Sequence, residues 1–172
     1  MKKVLVAAAF VLSASVSNAI YIEPYLGVYG TGKSTSGGTD TNLKATIGYG
    51  LRLGYSIPMI AFGVDYGMGN VDIETTPTTK SKSTDLGIFG SFNIPVLPVR
   101  AYLTYILDAK LTPDGGSDYK GKGTKIGVSF TGLPMVFINL DYYMIKYDTY
   151  GGASADLDVK MTALSVSLPL NF

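Results

Sequence analysis

Cysteine and histidine are both missing from the 172 residues. Without cysteine there is no disulfide framework, no thiolate metal site and no acceptor for a lipid anchor behind an export signal. Without histidine the usual general base and the commonest metal ligand are gone. Charge of one sign is lacking too. Fourteen Lys and Arg against 13 Asp and Glu leave a net charge of +1, which offers no broad basic face to nucleic acid. Beyond the N-terminus no run approaches 18 uncharged apolar residues, so no transmembrane helix is encoded. Hydrophobic residues still make up 47% of the chain. A chain this apolar, with no long apolar run, must carry its hydrophobicity in alternation.

The first residues read as an export signal. Met1-Lys2-Lys3 is a positive start, Val4 to Val11 is uncharged, and Ser17-Asn18-Ala19 supplies small residues at a cleavage position. That apolar stretch is too short to span a bilayer as a helix. The reading is a signal peptide over residues 1–19, cleaved, and one domain over residues 20–172.

Alternation is clearest from Leu43 to Tyr55. Leu43, Ala45, Ile47, Tyr49, Leu51, Leu53 and Tyr55 fall on one side, and Lys44, Thr46, Gly48, Gly50, Arg52 and Gly54 on the other. A period of two is a β-strand, because successive side chains point to opposite faces. The apolar side is expected outward and the glycine-rich side, with its one guanidinium, in a cramped enclosed space. Such a strand is about 40 Å long, and roughly 9–11 tilted residues suffice to cross a bilayer.

The chain then repeats. Ser56-Ile57-Pro58-Met59, Asn93-Ile94-Pro95-Val96, Gly132-Leu133-Pro134-Met135 and Ser167-Leu168-Pro169-Leu170 share one pattern, with prolines 37, 39 and 35 residues apart. That period, with no helical pattern between, marks a repeated hairpin, and proline collects at strand ends because it cannot donate to a ladder. The other connections, Thr31–Thr41, Glu74–Lys82, Thr112–Lys122 and Thr149–Asp156, read as longer polar loops. Eight strands follow: Ile20–Gly30, Leu43–Tyr55, Ile60–Gly69, Thr84–Asn93, Val99–Leu111, Gly123–Phe130, Val136–Tyr147 and Leu157–Phe172. In the first, Tyr29 is expected inward beside Glu23; in the fifth, Asp108 is expected inward beside Arg100. The fold predicted is all-β, an eight-stranded antiparallel up-and-down transmembrane β-barrel with short periplasmic turns and longer extracellular loops. Closure matters because an open edge in lipid leaves backbone groups unpaired. Outward aromatics sort into two belts: Tyr55, Phe62, Phe92, Phe130 and Phe172 near the short-turn rim, and Tyr49, Tyr105 and Tyr142 further along.

These residues resemble small eight-stranded bacterial outer-membrane barrels of the outer membrane protein A and outer membrane protein X type. The resemblance implies the outer membrane, a monomer, and contact with the lipid bilayer and lipopolysaccharide. It also implies that Leu164, Val166, Leu168, Leu170 and Phe172, alternating and closed by a terminal Phe, are the signal read by the barrel-assembly machinery. Adhesins, proteins that protect against host defence and narrow pores share this architecture, so membership gives place and fold rather than activity.

Catalytic parts are scarce. Gly27–Ser34 matches the spacing of a phosphate-binding loop, but such a loop opens a helix, whereas Thr35–Asn42 feeds another strand. Asp65, Asp85 and Asp141 lie mid-strand, facing a packed interior rather than a cleft. No enzymatic activity, no cofactor and no metal site is expected. Glu23, Arg52, Asp65, Asp85, Arg100, Lys125 and Asp141 instead read as an interior charge network, with Arg52 opposite Asp65 and Lys125 opposite Asp141, since an unpaired charge there costs several kcal/mol. The function expected is a non-enzymatic envelope component whose loops, with Tyr119, Lys120 and Lys122 or Tyr150 beside Gly151-Gly152, meet a surface ligand. The alternative is a narrow passive channel along the same charges.

Overall fold

Strand pairing accounts for most of the chain. The computed structural model describes residues 19–75 and 77–172; the predicted leader lies, up to Asn18, outside them. Eight antiparallel strands follow in order: β1 (Ala19–Ser36), β2 (Thr39–Ile57), β3 (Ile60–Ile73), β4 (Thr79–Asn93), β5 (Val99–Pro113), β6 (Tyr119–Phe130), β7 (Phe137–Tyr150) and β8 (Ala153–Ser167). Each pairs with its neighbours in sequence, and β8 pairs with β1, which closes the barrel. Beyond Pro169 the last strand resumes as Leu170–Asn171 opposite Tyr21 and Ile22. The interruption fits proline's missing N–H; the chain is held there by Leu168 N donating to Pro24 O and by reciprocal bonds between Ile20 and Phe172.

The polar connections are shorter than the sequence suggests. Gly37-Gly38 and Gly151-Gly152 are the whole of two of them, all four glycines with positive φ, as a type I′ hairpin turn requires. The other two span only residues 74–78 and 114–118. Ser, Thr and Lys in the predicted loops mark contact with water, not a turn, so the strands run on through them. The three prolyl connections cover residues 58–59, 94–98 and 131–136, so the contrast in length between the two rims is not found.

Proline at the second position of a turn demands positive φ at the third in the type II form. Met59, Val96 and Met135 each follow the proline of the repeat and carry φ of 75°, 71° and 61°. Val96 is β-branched and 102% exposed, so it bears the strain without packing against anything. Val96→Gly is expected to stabilise the barrel by about 1 kcal/mol, read as a higher urea midpoint for the refolded protein.

Alternation is broken at four bulges, in β1, β2, β5 and, at Asp148, β7, and an extra residue turns every following side chain to the other face. In β1 the register slips between Gly27 and Tyr29, which puts Tyr29 outside, not inside. In β2 it slips between Ala45 and Gly48, so Leu43 is buried in the lumen at 2% exposure and Ala45 packs beside it, whereas Ile47 and Tyr49 face out. In β5 it slips between Ile106 and Ala109, leaving Asp108 outside.

The outside is otherwise apolar all round. Leu53, Val64, Tyr66, Ile88, Leu103, Ile126, Val128, Leu140 and Leu164 are each more than 40% exposed. The predicted belt residues Tyr49, Tyr55, Phe62, Phe92, Tyr105, Phe130 and Tyr142 all point outward, and Phe172 does so at the end of the chain. The core lies within the barrel. Towards the glycine turns it is apolar, built on Leu43, Val71, Ile106, Leu111, Ile145, Tyr147 and Val159. Towards the prolyl turns, Tyr21, Ala61 and Phe89 form a smaller cluster.

Candidate functional site in the lumen and at the strand collar

Between the two apolar clusters lies a charged layer. Register creates its nucleus: Glu23 on β1 stands opposite Arg52 on β2, and Arg52 opposite Asp65 on β3. Arg52 Nη1 lies 3.1 Å from Glu23 Oε1 and its Nε 3.4 Å from Asp65 Oδ2. Arg100 reaches across from β5 to Glu23 at 2.6 Å. Tyr21 donates its hydroxyl proton to the same carboxylate. Asp65 is the hub: Lys125 Nζ is 2.6 Å from Oδ2, Thr104 donates to Oδ2 at 2.9 Å, and Tyr25 donates to Oδ1 at 3.0 Å. Glu23, Asp65, Thr104 and Lys125 are wholly buried. The Arg52 guanidinium is flanked by the Tyr102 and Tyr25 rings, 4.3 and 4.9 Å from their centroids, a stacking that suits its planar, weakly hydrated cation.

One predicted pair does not form. Lys125 stands opposite Tyr143 and Asp141 opposite Gly127. In so narrow a bore side chains meet across the lumen as readily as along a ladder, and Lys125 bonds Asp65 instead. Asp141 accepts from Tyr102 and from Ser165, the latter at 3.1 Å. Below it, Ser129 donates to Asn139 at 2.6 Å, and Asn139 donates to Ser165 and Ser167. Sequence reasoning placed the charges inside but missed the hydroxyl and amide groups that complete them. The inward positions of Tyr25, Tyr102 and Asn139, in register with the charges, were the available signal. Asp85 is the exception. It faces the lumen as predicted, yet its Oδ2 is shut off from solvent and has no hydrogen-bond partner among the described residues.

A second charged region rings the outside near the glycine turns, where the strands outrun the apolar belt. Three pairs of lysines stand directly opposite one another on neighbouring strands: Lys33 and Lys160, Lys110 and Lys120, Lys122 and Lys146. One member of each is ion-paired, Lys33 with Asp40, Lys110 with Asp118 and Lys146 with Asp156. The Thr35 hydroxyl and Lys33 hold the Asp40 carboxyl below its usual range, and Lys110 and Thr112 do so for Asp118. Lys120, Lys122 and Lys160 have no ion pair among the described residues. Tyr119 packs against Tyr150 beside this collar, ring centroids 4.4 Å apart.

No cluster of three metal-ligating side chains occurs among the described residues. Gly27–Ser34 is strand from end to end, with no helix after it to cradle a phosphate.

No family model matches the chain, and no curated protein is similar to it in sequence. Solved structures do match. Neisserial surface protein A superposes with a TM-score of 0.59 at 22% identity, over 87% of this chain and 96% of that one. Ail, the attachment invasion locus protein of Yersinia pestis, solved with the heparin analogue sucrose octasulfate, gives 0.60 at 15% identity, over 88% and 99%. The chain shares their fold, a small closed eight-stranded barrel.

Proposed function

We propose that this chain is a non-enzymatic outer-membrane barrel, closed along its bore, whose lysine collar binds polyanionic surface groups. The observation that carries the reading is the three directly opposed lysine pairs. Like charges facing each other across a ladder are destabilising, and a fold bears that cost more easily where phosphate or sulfate lies between them. The collar also stands at the height where outward strands change from apolar to charged. There it would meet the phosphates of lipopolysaccharide or the acidic glycans of another surface. Membrane residence is supported by the apolar exterior, since soluble monomers rarely expose so large a contiguous patch, by the shared fold, and by the leader-like N-terminus. A closed bore is supported by the charged layer and the apolar cluster stacked on it.

Sucrose octasulfate serves as a probe of defined charge. The refolded chain is expected to bind it with an affinity that falls steeply with salt. Changing Lys120, Lys122 and Lys160 together to Gln should weaken binding at least tenfold while raising the thermal midpoint, because repulsion is relieved. Titration calorimetry at two salt concentrations checks the binding, and a thermal melt of the two proteins checks the midpoint. Binding that ignores salt, or survives the triple change, overturns the reading.

A further inference from the structure

Among the described residues the pairing of β1 with β2 is interrupted on both strands at one height. β1 and β2 pair at Gly27 with Gly48 and again at Gly30 with Ala45, and between them Val28, Tyr29, Thr46 and Ile47 have no partner across that seam. The bulge of β1 against β8 and the bulge of β2 against β3 fall at this same height. All four side chains point outward. What the wall presents inward is glycine: Gly27, Gly48 and Gly69 lie side by side on β1, β2 and β3. A Cβ built on Gly27 would sit in ordinary contact with the Gly48 backbone, at 3.5 Å, and would clash with nothing.

Against these glycines lies a cavity of about 90 Å³. Its inner walls include Leu43, Val71, Leu111 and Val159, and its outer edge includes Ile47 and Met68, which belong to the outside of the barrel. The cavity lies against this seam of the wall, with Tyr29, Thr46 and Ile47 of the unpaired segments in its lining. The apolar cluster, Ile145 and Tyr147 included, supplies those inner walls, and the Arg52–Asp65–Lys125 layer lies below. Asp85 lines the same cavity, with its unpartnered Oδ2. The three lumen cations are engaged by Glu23 and Asp65.

We infer that this cavity is a binding site for a primary ammonium carried on an unbranched apolar chain, entering sideways between β1 and β2 and placing its nitrogen on Asp85. The carboxylate selects a cation with N–H donors, because an ionised group in apolar surroundings is costly until it is paired. The walls and the route select an apolar chain. A cavity of about 90 Å³, below the roughly 150 Å³ that admits a benzene ring, has room for the head and first carbons of a slim chain, the rest lying along the outside of the barrel. The inference rests on the reading that the barrel's exterior faces lipid. The ammonium comes either from a free alkylamine or from an amine-bearing lipid headgroup.

The refolded chain in phosphatidylcholine nanodiscs tests this by amide NMR. Insertion is checked first by the shift in gel mobility on heating; its failure overturns the membrane reading, whereas an inserted barrel that binds nothing overturns only this inference. With n-octylammonium, saturable shifts are expected at Gly27, Gly48, Gly67 and Gly69. Asp85→Asn should weaken that binding at least tenfold, and Gly27→Ala, which narrows the cavity without a clash, several-fold. Octanol and benzylammonium should leave those amides unmoved. If doping the discs with phosphatidylethanolamine gives the same Asp85-dependent shifts, the lipid is the source; if only the free amine does, the source is soluble. Equal binding by Asp85→Asn, or equal shifts with octanol, overturns the site.

Discussion

Asp65→Ala is expected to cost the barrel about 3–5 kcal/mol. Among the described residues Asp65 is the one carboxylate in ion-pair contact with Lys125, which is wholly buried. Removing it strands an ammonium in the lumen and leaves Thr104 without its acceptor, while Tyr25 keeps Tyr66 O at 3.3 Å. Arg52 keeps Glu23 at 3.1 Å, so the loss falls chiefly on the lysine. A second substitution separates the causes. In Asp65→Ala with Lys125→Met both members of the pair are gone, and most of the loss should return, because exchanging a buried pair for apolar packing is often close to neutral. Urea unfolding of the refolded protein, followed by circular dichroism, measures all three variants. A single variant within about 0.5 kcal/mol of the parent would show that the layer is not what holds the lumen together.

Gly54→Ala is expected to be nearly as damaging through geometry alone. Gly54 and Gly63 face each other across β2 and β3. A Cβ on Gly54 would lie 1.9 Å from Phe62 O and 2.8 Å from Gly63 Cα, and one on Gly63 would lie 2.0 Å from Leu53 O. These are backbone atoms, so the strands must part, at a cost of about 3 kcal/mol, the upper end for overpacking. Gly90 is the matched control: on β4, with nothing within 4 Å of its Cβ position, its change to Ala should stay within about 0.5 kcal/mol. Refolding yield and urea midpoint for the two variants make the comparison. Equal behaviour would mean that β2 and β3 yield more readily than their register implies.

Much of the barrel was legible because a period of two, kept up over eight segments, has few physical explanations. The Arg52–Asp65 pair was legible as well, since a two-residue turn at Pro58-Met59 fixes the register directly. Lys125 and Asp141 were misjudged by counting from a turn that proves to be six residues long, so the register could not be fixed by counting alone. Leu43 and Ala45 were misplaced for another reason. The lumen is apolar above the charged layer, so an inward Leu43 continues the same alternating series as an outward Tyr49, and the bulge between them leaves no trace in the pattern. Tyr29 and Asp108 sit at two further slips. By sequence Asp85 is one more member of the network; in the folded barrel Arg52, Arg100 and Lys125 are already engaged by Glu23 and Asp65.

The two Gly-Gly turns bear on how such a wall is assembled. Each joins a terminal pair of strands, β1 with β2 and β7 with β8, and their twist already matches that of the strands they connect. The prolyl turns, by contrast, must hold Met59, Val96 and Met135 in a left-handed backbone before their strands can register. The β1–β2 and β7–β8 hairpins are therefore expected to form locally, on the microsecond scale of isolated hairpins, ahead of the middle. The slow event is their meeting, when Tyr25 finds Ser167 from the far end of the chain.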